Sequence, residues 1–314
     1  MSSIVPTTSL DTKGDEFTAQ AEQKRNACCG RFFLGQMRWE QAAALYSKAA
    51  FAYKSAHSWA NAASTFEMLA HIWSNELKSL IEAKTNTMDN FMEAGRCYKK
   101  FRSEKAKEMF AVAMQSEDGN FATAAMVCGE MGEMLEMEKN FAEAAQFFLK
   151  GADGYEACIT MEQNRLAFQK RAAENLERAS DYVAAIRLNE DVISAYEKKS
   201  LTAPIPDMRM LCVRNLLMKL LLTVQESKIM DYKMVESMAE SYMRRYACFD
   251  RSQEHVFIKE LIDAIADDNT SAFQFAFQKF SKIREIDSGT TQLLHKVLQQ
   301  LDQNTREERV DLLL

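Results

Sequence analysis

Few residues of this 314-residue chain are spaced for bond-making chemistry. His57, His71, His255 and His295 lie far apart, with no HExxH or comparable ligand spacing, so no zinc site is legible. Cys28, Cys29, Cys97, Cys128, Cys158, Cys212 and Cys248 include no CxxC pair. Several sit on apolar helix faces, which reads as reduced thiols serving as small buried hydrophobes. GxxxxGK[ST], GxGxxG after a strand and GxSxG are missing, so no cofactor or metal is expected and an enzyme is disfavoured. What remains is the chemistry of contact. Phe32-Phe33-Leu34, between Gly30 and Gly35, places three large apolar residues in a glycine-flanked loop. They cannot all enter one core, so at least one faces solvent, a partner or lipid. Val310-Asp311-Leu312-Leu313-Leu314 follows a charged stretch, and a leucine-rich end suggests docking onto this protein or another.

The elements that would position these groups announce themselves by repetition. Trp39-Glu40-Gln41-Ala42-Ala43 recurs as Trp59-Ala60-Asn61-Ala62-Ala63, Phe121-Ala122-Thr123-Ala124-Ala125, Phe141-Ala142-Glu143-Ala144-Ala145 and, more weakly, Tyr182-Val183-Ala184-Ala185-Ile186. The spacings are near multiples of about 20 residues, the mark of stacked helical hairpins. Small residues let neighbouring helices approach, and the aromatic fills the groove beside them. With 10 Gly and 3 Pro, long breaker-free stretches favour helix. The fold class read from this is all-α: a right-handed solenoid, or twisted sheet, of antiparallel hairpins of the tetratricopeptide-like kind, closed by a C-terminal helical bundle.

Four regions follow: residues 1–37 (tail, first helix, apolar loop), 38–203 (hairpin array), 204–301 (bundle) and 302–314 (acidic and leucine tail). Residues 1 to about 15 read as a flexible tail, with a first helix over 16–28 and the first repeat helix from Arg38. Pro204-Ile205-Pro206 reads as a break. Met126, Met131, Met134 and Met137 read as core filling at helical spacing. The most apolar run, Leu216–Val224, is interrupted by Lys219 and too short to span a bilayer, and the N-terminus lacks a signal core. The expectation is a soluble cytoplasmic protein with peripheral membrane contact. A net charge of −6 argues against nucleic acid.

The Phe-Phe loop, the hairpin period and the acidic-then-leucine end together resemble the soluble NSF attachment protein family, in its α type. Phe91-Met92-Glu93-Ala94-Gly95-Arg96-Cys97-Tyr98-Lys99-Lys100 is similar to the family's F-x-x-A-G-x-x-[FY]-K-K helix. Asp267-Asp268-Asn269, running on to Phe280 and Asp287, resembles its C-terminal bundle. The resemblance implies an adaptor that binds the four-helix SNARE bundle and recruits and stimulates the AAA+ ATPase NSF. It implies a monomer when alone and several copies on each bundle. By position it implies concave-face cations at Lys99, Lys100, Arg165 and Arg214, with Lys170 and Arg171 as substitutes. The substitutes enter because Met126, His57 and Asn120 stand where the family has basic residues. It implies a membrane-attachment loop at Phe32, Phe33 and Leu34. It also implies an ATPase contact at Asp263, Asp267, Asp268, Glu307, Glu308, Asp311, Leu312 and Leu313. Residues 250–314 hold 12 acids against 8 bases, which suits a basic partner. The competing reading is a tetratricopeptide-like scaffold for linear peptides, as in chaperone adaptors. Its 34-residue unit fits less well than the 41 residues per hairpin here.

Overall fold

The computed structural model describes residues 7–26, 33–115, 121–156, 159–198, 205–227 and 230–311. Among these residues regular structure is helical throughout, in fourteen α-helices and two short turns of other helix types. They fall into two units that meet at Phe168 and Gln169.

The first unit holds α1 (Thr7–Asn26), α2 (Phe33–Ser55), α3 (Trp59–His71) with a π-helical turn at Ile72–Glu76, and α4 (Ala83–Tyr98). It continues with α5 (Ser103–Gln115), α6 (Phe121–Met137), α7 (Phe141–Glu156), a 3-10 turn at Ile159–Met161, and the start of α8 (Glu162–Arg178). Each helix from α1 to α7 packs on the next. Their antiparallel course is visible in the side chains. Along α1 and α2, Asp15 meets Tyr53 while Glu22 meets Tyr46. Along α3 and α4, His71 faces Phe91 while Glu67 meets Tyr98.

One turn design recurs. His57, Lys139 and Ser180 have φ of 59°, 63° and 64°. In each case the following amide reaches back five residues, Ser58 N to Tyr53 O, Asn140 N to Leu135 O and Asp181 N to Leu176 O, at 2.8–2.9 Å. This left-handed stop satisfies the carbonyls left over at a helix end. The next helix starts two residues later, on the aromatic of the repeat: Trp59, Phe141 or Tyr182. Asp181 caps its helix through a bond accepted from Ala184 N at 3.2 Å. The second small residues of the signature, Ala43, Ala63, Ala125 and Ala145, are all buried. Close approach goes further at Gly95 and Gly132. A Cβ there would stand 2.5 Å from the Phe110 ring and 2.7 Å from the Phe148 ring.

Several expectations change. Helix α1 begins at Thr7 rather than near residue 16, because α2 holds it. Tyr53 Oη donates to Asp15 Oδ1 at 2.8 Å, and its ring covers Gly14. Helix α2 begins at Phe33 rather than Arg38, so Phe33, Leu34 and Gly35 form a helical first turn instead of a loop. Phe32, Cys28 and Cys29 lie outside the described residues, as do Cys158, the turn at 118–120 and Pro204. Pro206 is the second residue of α10, where a missing N–H costs nothing. Of the four methionines, Met134 is buried and Met131 packs on the core, but Met126 and Met137 are exposed. The buried stripe of α6 runs through Val127, Cys128 and Leu135 instead.

The second unit holds the rest of α8, then α9 (Tyr182–Lys198), α10 (Ile205–Ser227), α11 (Tyr232–Arg245), α12 (Gln253–Ala266), α13 (Thr270–Ile283) and α14 (Ser288–Asp311). Helix α10 touches α9, α11, α12 and α14 and is buried all round from Met210 to Met218. The apolar run of the sequence is thus a central core helix. Its buried Asn215 accepts from Asn189 at 2.9 Å and donates to Tyr242 Oη at 3.1 Å. Tyr242 in turn donates to Glu190 at 2.8 Å. The chain fixes three helices with its polar groups satisfied.

Candidate partner-binding site

The cations proposed to meet a partner divide into two groups. In the first unit, α2, α4 and α6 carry a ladder of alternating charge. Lys54 pairs with Glu93, and Glu93 with Arg96 at 2.7 Å. Arg96 reaches Glu130 at 2.8 Å, and Lys99 reaches Glu130 at 2.9 Å and Glu133 at 2.8 Å. Burial works against the Lys99 charge, but the two carboxylates outweigh it and hold its pKa above the ordinary value. Burial likewise opposes ionised Glu93, yet Lys54 and Arg96 pull its carboxyl below the usual range. Lys100, beside Lys99, is exposed and lies over the Trp59 ring at 5.8 Å. Arg165 holds Glu162 through two bonds of 2.6 and 2.9 Å.

In the second unit Arg214 is a buried residue. It donates to Glu177 at 2.7 and 3.1 Å, with Asp287 at 3.6 Å and Glu174 at 3.8 Å. Glu177 is itself only 5% exposed, and burial raises its carboxyl pKa despite the guanidinium. The group ties α8 and α10 to the cap of α14, where Asp287 accepts from Thr290 N at 2.9 Å. A cleft of about 430 Å³ opens here, and Lys170 and Arg214 line it together with Glu174 and Asp287. Arg171 is half-buried on α8. The six cations are therefore not one uniform basic face: Lys100 is exposed, Lys99 and Arg165 are paired, and Arg214 is inside.

The acidic candidates present themselves more simply. Asp263, Asp267 and Asp268 are all exposed at the end of α12. Asp268 takes the left-handed stop (φ 47°), and Asn269 caps α13 through Ala272 N at 2.9 Å. Asp263 also borders a hollow of about 180 Å³ shared with Glu236 and Glu240 of α11. Glu307, Glu308 and Asp311 belong to α14 by their backbone; Leu312 and Leu313 lie outside the described residues.

The family model of the soluble NSF attachment protein matches residues 12–302. The chain belongs to that family. Its relatives include the α-soluble NSF attachment protein of Vitis vinifera, 25% identical over 94% of this chain and 96% of that one. The β-soluble NSF attachment protein of Bos taurus is 23% identical over 92% and 95%. The vesicular-fusion protein SEC17 of Komagataella phaffii is 22% identical over 91% and 94%. Soluble NSF attachment proteins are adaptors, not enzymes. Within this attachment protein no described helix is long and apolar enough to cross a membrane. Sequence reasoning missed Glu93, Arg96, Glu130 and Glu133 as members of the ladder. The available signal was the opposite-charge i, i+3 spacing of Glu93 and Arg96 on α4; Glu130 and Glu133 join from more than 30 residues away.

Proposed function

We propose that this chain is an adaptor in vesicle fusion that binds the four-helix SNARE bundle and recruits and stimulates an NSF-type AAA+ ATPase, which takes the bundle apart. The observation that carries the reading is the family match from residue 12 to residue 302, on a chain of successively packed helices. On the bundle side, Lys99, Lys100, Arg165, Lys170 and Arg171 meet acidic side chains. Lys99 already has two carboxylate partners, so an acidic bundle must exchange with Glu130 and Glu133 rather than meet a bare lysine. Such contacts are salt-sensitive and tolerant of sequence. Arg214 acts in this reading by holding α8, α10 and α14 in register.

On the ATPase side, Asp263, Asp267 and Asp268 offer exposed negative charge to a basic partner, and Glu307, Glu308, Asp311, Leu312 and Leu313 supply the stimulating end. Phe32, Phe33 and Leu34 attach the protein peripherally to the membrane. Each apolar side chain adds about 1.5–3 kcal/mol when buried, enough to matter once the bundle holds the adaptor nearby. The protein is a monomer alone and binds in several copies to each bundle. Removing Leu312–Leu314 is expected to leave bundle binding intact and abolish ATPase stimulation. An unchanged hydrolysis rate would sink that assignment.

A further inference from the structure

In the first unit the helices alternate in direction, so the connections at 56–58, 99–102 and 138–140 gather at one end of the stack. Most charge near that end is balanced within the chain. Lys99 holds Glu130 and Glu133, Lys105 holds Glu67 and Glu108, and Lys107 holds Glu104 and Glu138. Lys100, Arg102 and Lys139 remain; they are exposed and make no ion pair among the described residues. Two large apolar side chains stand with them, Phe101 at 52% exposure and Met137 at 65%. The Lys99–Glu133 and Lys107–Glu138 pairs, at 2.8 and 2.7 Å, tie the turn at 99–102 to the end of α6, so both groups belong to one edge. Phe101 is held in place there. Its amide and that of Arg102 donate to Tyr98 O at 2.9 and 2.7 Å. Its ring lies 5.6 Å from that of Tyr98, which is buried and donates to Glu67 at 2.7 Å. A fixed aromatic bordered by unpaired cations is organised in advance for a contact and adds little to the core.

We propose that Lys100, Phe101, Arg102, Met137 and Lys139 anchor the bundle contact, with Phe101 seated in a groove between two partner helices and the cations on carboxylates beside it. This rests on the preceding reading of the partner as an acidic four-helix bundle. The surplus positive charge selects an acidic surface. The two apolar side chains supply a burial that the paired charges of the ladder cannot. Lipid fits this edge less well. Helix α2 runs 23 residues from Phe33 to Ser55, about 34 Å, so the edge stands a helix length from the turn assigned to the membrane.

The test is the affinity of the full chain for a soluble SNARE four-helix bundle at low and raised salt, comparing Phe101→Ser, Phe101→Leu and the triple variant Lys100→Gln/Arg102→Gln/Lys139→Gln. Phe101→Ser is expected to weaken binding about tenfold at either salt, with Phe101→Leu retaining most of it. The triple variant should lose at least as much at low salt and little at raised salt, where its charges are screened. Thermal unfolding is read alongside, and the triple variant, altered only at exposed positions, should unfold like the wild type. If Phe101→Ser binds like the wild type while the triple variant loses binding, the aromatic anchor is wrong and the bundle reading stands. If all variants keep the bundle but lose phosphatidylserine vesicles, the edge belongs to lipid and the proposal is overturned. A wild-type chain that does not bind the bundle at all overturns the reading beneath it.

Discussion

Lys99 and Arg214 look alike in the sequence, yet the two units use them oppositely. In the first unit cations and carboxylates alternate along α2, α4 and α6, partly in water. In the second, one guanidinium and one carboxylate are withdrawn from solvent and held by α8, α10 and the cap of α14. A half-exposed ladder can exchange partners at small cost, which suits a surface that must read another protein. A buried pair cannot, because either member left alone keeps the full penalty of a desolvated charge. The lesson is that a basic residue on a helix is a binding candidate only if its carboxylate partners are near water.

The largest expected effect breaks the buried pair. Arg214→Met should destabilise the protein by about 3–5 kcal/mol in urea unfolding, and adding Glu177→Met should recover most of that. The same change at Arg96, in the ladder, should cost about 1 kcal/mol. Equal losses at both positions would erase the distinction between the units.

A smaller effect sharpens it through pH. Glu93 has a folded pKa held below 4.5, so its stabilising contribution is complete above that value and disappears as pH falls through the lowered one. Glu177 has the opposite sign. Its folded pKa stands above 4.5, so the unfolded chain releases that proton first, and its contribution weakens as pH rises from 4.5 through the folded value. Acid should therefore loosen the amides of α4 and α6 more in the wild type than in Glu93→Gln, as read by hydrogen exchange corrected for intrinsic rates. A wild-type-like response in Glu93→Gln would contradict the role given to that carboxylate.

Much of the fold was legible because its rules are local. Trp59, Phe141 and Tyr182 start helices two residues after a left-handed stop, and their alanines mark the buried face at a fixed offset. Asp263, Asp267 and Asp268 came from the family resemblance and not from a local rule, and the structure shows of them that all three are exposed at the end of α12. What escaped was set at a distance. The early start of α1 depends on Tyr53, 38 residues beyond Asp15. Lys99 finds its carboxylates 31 and 34 residues away, and Arg214 meets Glu177 across 37. Periodicity gives the face of a helix but not the partner opposite it.

The central claim is that this chain couples a SNARE bundle to its ATPase. The direct measurement is retention of an NSF-type ATPase on an immobilised SNARE bundle, with and without this protein, under ATP with and without hydrolysis. The account predicts retention only when the protein is present and hydrolysis is blocked, followed by release of the bundle's chains once hydrolysis proceeds. Equal retention in its absence, or a bundle that stays intact through hydrolysis, would contradict it.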